Sequence, residues 1–145
     1  MKIYLDNCCF NRPYDDQDSL IIRIETEVKL EIQDRVRSGR INLVWSYIWD
    51  YENSLNPHKE RSEEISEWRN IAKMNEVSNE FLLSRMREYE KNGFKAADAL
   101  HLSCAVEAKC EYFITVDKGI LNKNKLIQDV CIINHIAFIE EQDEK

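Results

Sequence analysis

The stretch Phe94–Lys118, FKAADALHLSCAVEAKCEYFITVDK, predicts a helix at about residues 96–109 followed by a buried strand, YFITV. Alanine and leucine dominate its first half, whereas β-branched and aromatic residues, which favour strands, dominate its second half. Each half carries an acid at one end. Asp98 lies in the first turn of the helix, and Asp117 directly follows the strand. A helix that leads into a buried strand is the repeating unit of an α/β fold, so this stretch indicates the fold class.

The rest of the chain continues the alternation of strands and helices. Further strands are predicted at Lys2–Leu5, Ile41–Ser46 and Val130–Asn134. Further helices are predicted at about 19–37, after Ser46, at about 58–73, at about 79–91, and briefly from His135, before a solvated acidic end. Between the helices at 58–73 and 79–91 there is at most a short extended piece near Met74–Val77. The alternation predicts one domain over residues 1–145, a three-layer α/β/α sandwich on a mainly parallel central sheet.

The composition excludes several classes of protein. No apolar run approaches the roughly 20 residues that span a bilayer, and the opening MKIYLDNCCF does not resemble a secretory signal. We therefore expect a cytoplasmic protein with no membrane contact. Five cysteines, an odd number without a C-x-x-C pair, argue against a disulfide framework and against structural zinc. We expect reduced thiols that pack as small apolar groups.

The net charge of −7 argues against binding of nucleic acid through a broad basic surface. It remains compatible with a nucleic-acid substrate, because bound divalent cations reverse the local charge of an acidic site. It also suits a basic partner protein.

Four acids are expected to meet at one edge of the sheet. Asp6 and Asp117 each follow a predicted strand, Glu52 lies on the first helix after the second strand, and Asp98 opens the helix before YFITV. The carboxyl ends of parallel strands share an edge, where functional groups gather. Taken singly, Asp98 is typical of dipole compensation at a helix start, and Glu52 of a surface glutamate. Together, their hard oxygen atoms suit Mg²⁺ or Mn²⁺.

These motifs resemble those of the PIN-domain family, which includes the VapC-type toxins of bacterial and archaeal toxin–antitoxin pairs. The motifs KIYLD, WSYIWDYE, DALHLSCA and FITVDKGI carry the acids of the family pattern at Asp6, Glu52, Asp98 and Asp117. Ser46 matches the serine of the family, and Thr115 stands two residues before the last acid. The resemblance covers nearly the whole chain. The chain departs from the pattern at Asn7 and Cys8, where the family usually has a small hydroxyl residue and then Asn or Ser.

The resemblance implies a metal-dependent ribonuclease in which Mg²⁺ or Mn²⁺ activates water to attack an RNA phosphodiester. It assigns catalytic roles to all four acids. Asp6, Asp98 and Asp117 would be the metal ligands, and Glu52 would be a ligand or would orient the nucleophile. It also implies a homodimer and a small antitoxin protein as a partner of a toxin.

Other residues have supporting roles in this interpretation. Ser46 and Thr115 would steer the carboxylates by hydrogen bonds. Arg12 and Lys118 are candidates for contact with substrate phosphate. His101, one turn beyond Asp98, either approaches the site or is a packed, hydrogen-bonded helix residue.

Two other functions compete with the ribonuclease. The residues after Asp6 leave open a catalytically weak or inactive PIN-like domain that binds protein or RNA. A phosphatase of the haloacid-dehalogenase type needs D-x-D after the first strand, but Cys8 stands two positions after Asp6.

Overall fold

The computed structural model describes residues 1–6, 18–75 and 80–144, and it shows an α/β sandwich. The strands are β1 Lys2–Leu5, β2 Asn42–Ser46, β3 Lys73–Asn75, β4 Tyr112–Ile114 and β5 Cys131–Ile133. The helices are α1 Leu20–Arg37, α2 Tyr47–Ser54, α3 Lys59–Glu67, α4 Glu80–Lys91, α5 Ala96–Glu107, α6 Lys118–Leu121 and α7 His135–Asp143, with 3₁₀ turns at Trp68–Asn70 and Asn124–Leu126. All strand pairs are parallel, in the order β3-β2-β1-β4-β5. The predicted fold class is confirmed.

The central strand β1 forms the middle of the core. Its residues Ile3, Tyr4 and Leu5 are fully buried, because β2 and β4 pair on either side and helices cover the sheet. Helix α5 packs against α4 and contacts β2 and β4, and α1 packs against α7. Strands buried on both faces read as continuous apolar runs, as KIYL and YFI do here.

The order of the strands reverses between β1 and β4. The chain first builds outward from β1 to β2 and β3, then crosses back to β4 on the other side of β1. Such a reversal opens a crevice at the carboxyl ends of the two strands, which is where open α/β sheets bind ligands. The residues that follow β1 and β4 therefore occupy the most favourable position for a site.

Three elements differ from the sequence prediction. The segment at 73–75 is a paired strand at the sheet edge, because β2 supplies its hydrogen-bonding partner. The helix expected at 58–73 ends at Glu67 and continues as a 3₁₀ turn. The helix predicted from His135 is longer than expected, because α7 runs to Asp143, whereas Glu140, Asp143 and Glu144 of the acidic end are exposed as predicted. Tyr112 donates to Glu141 (2.7 Å) and Arg35 to Asp143 (3.0 Å), which attaches that helix to the fold.

Two expectations from the composition can be compared with the structure. Cys104 and Cys110 are free and buried, and burial raises the pKa of each thiol to about 12, so both pack as neutral groups. Cys131 is free and exposed, whereas Cys8 and Cys9 lie outside the described residues. None of the helices in the described part of the chain has the length and apolar character needed to cross a bilayer.

The buried face of α5 should contribute strongly to stability. Leu102 is fully buried, whereas Leu83 on the neighbouring α4 is 54% exposed. We expect Leu102→Ala to lower the free energy of unfolding by about 2–5 kcal/mol, because it removes buried methyl groups and leaves a cavity. Leu83→Ala should change it by less than about 0.5 kcal/mol. Urea denaturation measures both, and similar losses in the two variants would contradict this assignment of the core.

Candidate functional site

A buried hydroxyl connects the ends of β1 and β4. Leu5 pairs with Ile114, so the residues after each strand lie side by side. Thr115 Oγ1 donates to Asp6 Oδ2 at 2.7 Å, and it accepts from the backbone N–H of Asp117 at 3.0 Å. Thr115 is fully buried and Asp6 is 8% exposed. The hydroxyl therefore holds one acid directly and the backbone of the second.

The second acid, Asp117, caps helix α6. Its Oδ1 accepts from the backbone N–H of Gly119 at 2.7 Å and of Ile120 at 3.4 Å. A Cβ on Gly119 would lie 3.0 Å from that oxygen, so glycine permits the close approach. Asp117 is exposed, in contrast to Asp6. The pair thus forms a site with one buried and one solvent-facing carboxylate.

Asp98 lies in the first turn of α5. Burial raises its pKa above the ordinary value, and the negative charges of Asp6 and Asp117 raise it further. His101 and Lys95 act in the opposite direction. The negative charges of Asp6 and Asp117 therefore act on Asp98, the third of the four predicted acids. A metal site shared by the three stays a prediction.

The fourth acid, Glu52, belongs to a separate hydrogen-bonded chain. Its Oε1 lies 2.8 Å from His101 Nε2, and His101 Nδ1 contacts Tyr4 Oη. Tyr4 Oη also lies 2.8 Å from Ser46 Oγ. In these contacts Ser46 does not bind a carboxylate directly. It is connected to Glu52 through Tyr4 and His101. His101 is both buried and part of the site, so the two alternatives for this residue were not exclusive.

The two predicted substrate contacts are placed differently. Lys118 is exposed at the start of α6, directly after Asp117, and it borders an open cavity of about 330 Å³. Ile21, Val116 and Leu121 provide apolar walls of this cavity. Arg12 lies outside the described residues. A contact of either residue with phosphate stays a prediction.

The carboxylates suit a divalent cation by their chemistry. Across residues 1–6, 18–75 and 80–144, no three His, Cys, Asp or Glu side chains form a ready-made metal-binding group. Mg²⁺ is commonly bound through only one or two carboxylates and keeps several waters. A cation among Asp6, Asp98 and Asp117 would also relieve the repulsion that raises the pKa of Asp98. Binding of a partly hydrated Mg²⁺ or Mn²⁺ by these carboxylates stays a prediction.

The Thr115 hydroxyl should be needed for both stability and the position of Asp6. Thr115→Val keeps the shape but leaves the Asp6 carboxylate and the Asp117 N–H without this partner. We expect the free energy of unfolding to fall by about 1–3 kcal/mol. Thr115→Ser keeps the hydroxyl and should retain more stability than Thr115→Val. Urea denaturation of both variants checks this, and equal losses would contradict a role for the hydroxyl.

The ionised form of Asp98 should destabilise the metal-free protein. Its folded pKa is raised above the ordinary 3.8, so stability falls as pH rises from that value through the raised pKa. At pH 7, Asp98→Asn should raise the free energy of unfolding by on the order of a few tenths of a kcal/mol, which is the scale of solvent-screened charge interactions. The gain should shrink as the pH is lowered towards 3.8.

Denaturation of the metal-free protein across this pH range measures the effect. Glu88→Gln, at an exposed glutamate on α4, is the control. A destabilised Asp98→Asn variant at neutral pH would show that Asp98 does not face the other two acids.

No known protein family matches the chain, and no curated protein matches it in sequence. Among solved structures, the chain is similar to one chain of the crystal structure of VapBC2 from Rickettsia felis bound to a DNA fragment from their promoter. The TM-score is 0.59 at 15% sequence identity, over 92% of this chain and 98% of that chain. At this identity the similarity concerns the fold alone. The chain has a PIN-like α/β fold.

Proposed function

We propose that this chain is a metal-dependent endoribonuclease that hydrolyses RNA phosphodiesters with Mg²⁺ or Mn²⁺. One observation carries the proposal. Asp6 and Asp117 follow the two strands between which the strand order reverses, and burial together with the negative charges of these two acids raises the pKa of Asp98. Clustered like charges destabilise a fold, and perturbed ionisable groups in a crevice are typical of functional sites. A divalent cation bound by these carboxylates would in turn bind an RNA phosphate.

Each of these side chains has a separate role in the proposed reaction. Asp6, Asp98 and Asp117 would hold the cation, and Glu52 would orient the attacking water. When bound, the cation lowers the pKa of water and stabilises the charge on the phosphoryl oxygens. Thr115 fixes the buried oxygen of Asp6 through its 2.7 Å hydrogen bond. Lys118 and Arg12 would provide positive charge for the phosphate backbone of the RNA.

We further propose that the ribonuclease is the toxin of a type II toxin–antitoxin pair. The shared fold with a chain of a VapBC2 complex supports this narrower function. The net charge of −7 suits a small antitoxin with a basic segment. In this proposal the protein is a cytoplasmic homodimer when it is not bound to that partner.

The nuclease function can be tested with a mixed RNA pool. We expect cleavage by the purified chain with Mn²⁺ or Mg²⁺ and none after chelation. Asp6→Asn and Asp98→Asn should each lower the rate by at least about 100-fold, more than the loss of a residue that only supports a ligand. Gel electrophoresis of end-labelled RNA measures the rates. Glu88→Gln is the matched control, because it removes an exposed charge elsewhere.

The same cleavage experiment also distinguishes the ribonuclease from the competing function, a PIN-like binding module. A PIN-like binding module would retain RNA or protein without cleaving RNA. If Mn²⁺ neither binds nor supports cleavage, and the two Asp variants behave as wild type, the binding module replaces the ribonuclease.

A further inference from the structure

A chain of four hydrogen-bonded side chains leads from Ser46 and Tyr4, on β2 and β1, through His101 to Glu52. Tyr4 and Ser46 are fully buried and His101 is 2% exposed, so only Glu52 at the end of the chain meets solvent. The His101 ring also packs against Trp49, with ring centroids 4.8 Å apart, and against the edge of Tyr4. The imidazole is therefore held both by packing and by hydrogen bonds at its two nitrogens.

The hydrogen bonds of this chain have a defined direction. An ionised Glu52 only accepts, so His101 Nε2 carries a proton and donates to it. In a neutral imidazole Nδ1 then accepts, and the Tyr4 hydroxyl donates to it. The Tyr4 oxygen is left to accept from the Ser46 hydroxyl. Burial raises the pKa of Tyr4 well above its ordinary value, which keeps the phenol proton available for donation.

We propose that His101 is a positioning residue, oriented by Tyr4 and Ser46, that fixes the Glu52 carboxylate at the rim of the carboxylate cluster. The catalytic part of this inference rests on the proposed ribonuclease function. A free glutamate samples many rotamers, and ordering it costs entropy when the substrate binds. A hydrogen bond from a rigid buried ring removes that cost before the substrate arrives. His101 also lies one turn from Asp98 on α5, so one helix places both acids.

A histidine that only stabilised the fold would make the same contacts. The test must therefore distinguish an effect on the orientation of Glu52 from an effect on folding stability. His101→Gln puts an amide N–H near the place of Nε2 and can still donate to Glu52. His101→Asn has the same amide on a shorter side chain that does not reach Glu52. The two variants carry the same amide group: His101→Gln keeps a donor for Glu52, whereas His101→Asn keeps a polar group near Nδ1 that faces Tyr4 and loses the donor for Glu52.

We expect His101→Asn to lower kcat for RNA cleavage by about 10- to 100-fold with little change in KM, the range typical of residues that orient ligands. His101→Gln should recover most of the lost rate. Tyr89→Phe is the control, because it removes a hydrogen bond from another buried tyrosine, to Asp129 at 3.1 Å. It should leave kcat unchanged.

A second measurement is independent of metal and activity. The chain has three histidines, so the ring nitrogens of His101 can be assigned in ¹⁵N NMR spectra of the metal-free protein by their loss in His101→Gln. We expect a proton on Nε2 and none on Nδ1. Tyr4→Phe should remove the donor to Nδ1 and shift that resonance.

The possible results are distinct. Wild-type kcat in His101→Asn, with Asp98→Asn inactive, would overturn the positioning role and leave the ribonuclease intact. A proton on Nδ1 would overturn the directed chain. A wild-type protein that cleaves no RNA would overturn the ribonuclease and the catalytic part of this inference, while the NMR spectrum would still decide the hydrogen-bonded chain.

Discussion

The cost of burying the charge of Asp98 within reach of the negative charges of Asp6 and Asp117 is the constraint that this edge of the sheet must meet. Carboxylates held near one another oppose folding unless other interactions keep them there. The surrounding groups compensate in three ways. The buried residues Ile3–Leu5 of β1 fix the backbone before Asp6, Thr115 donates a hydrogen bond to the Asp6 side chain, and two backbone amides bind Asp117. The charged edge thus lowers the stability of the fold, as is common at functional sites.

The support for the acids is divided into two branches on either side of α5. One branch runs from β4 through Thr115 to Asp6, and the other runs from β2 through Tyr4 and His101 to Glu52. In both, a carboxylate is oriented by a group that is itself buried: Thr115 orients the buried Asp6, and His101 orients the partly exposed Glu52. Sites held in this way keep their geometry better than sites on loops, because each supporting rotamer is fixed by the core. Helix α5 carries His101, so its position against the sheet controls the second branch.

The alternating apolar segments allowed the fold class to be predicted, and the acids after Leu5 and Val116 allowed the edge to be predicted, because parallel topology alone brings those positions together. The partner of Glu52 could not be predicted, since it depends on how α2 and α5 pack side by side. The short strand Lys73–Asn75 was also missed as a paired element. Its residues Lys73 and Asn75 have low strand propensity, and the strand exists because β2 offers an edge. The length of α7 likewise depends on distant partners, Arg35 and Tyr112, which local sequence does not reveal.

The pairing of β1 with β4 has a consequence for the timing of synthesis. Asp6 and Thr115 are 109 residues apart in sequence, so a growing chain displays the first acid long before the residue that fixes it exists. At a translation rate of about 5–20 residues per second, the interval is roughly 5–20 seconds. For most of this time the nascent chain lacks both Asp98 and Asp117. The order of translation therefore delays assembly of the carboxylate edge until β4 has left the ribosome, and a nuclease built on this topology would be unable to attack RNA during most of its own synthesis.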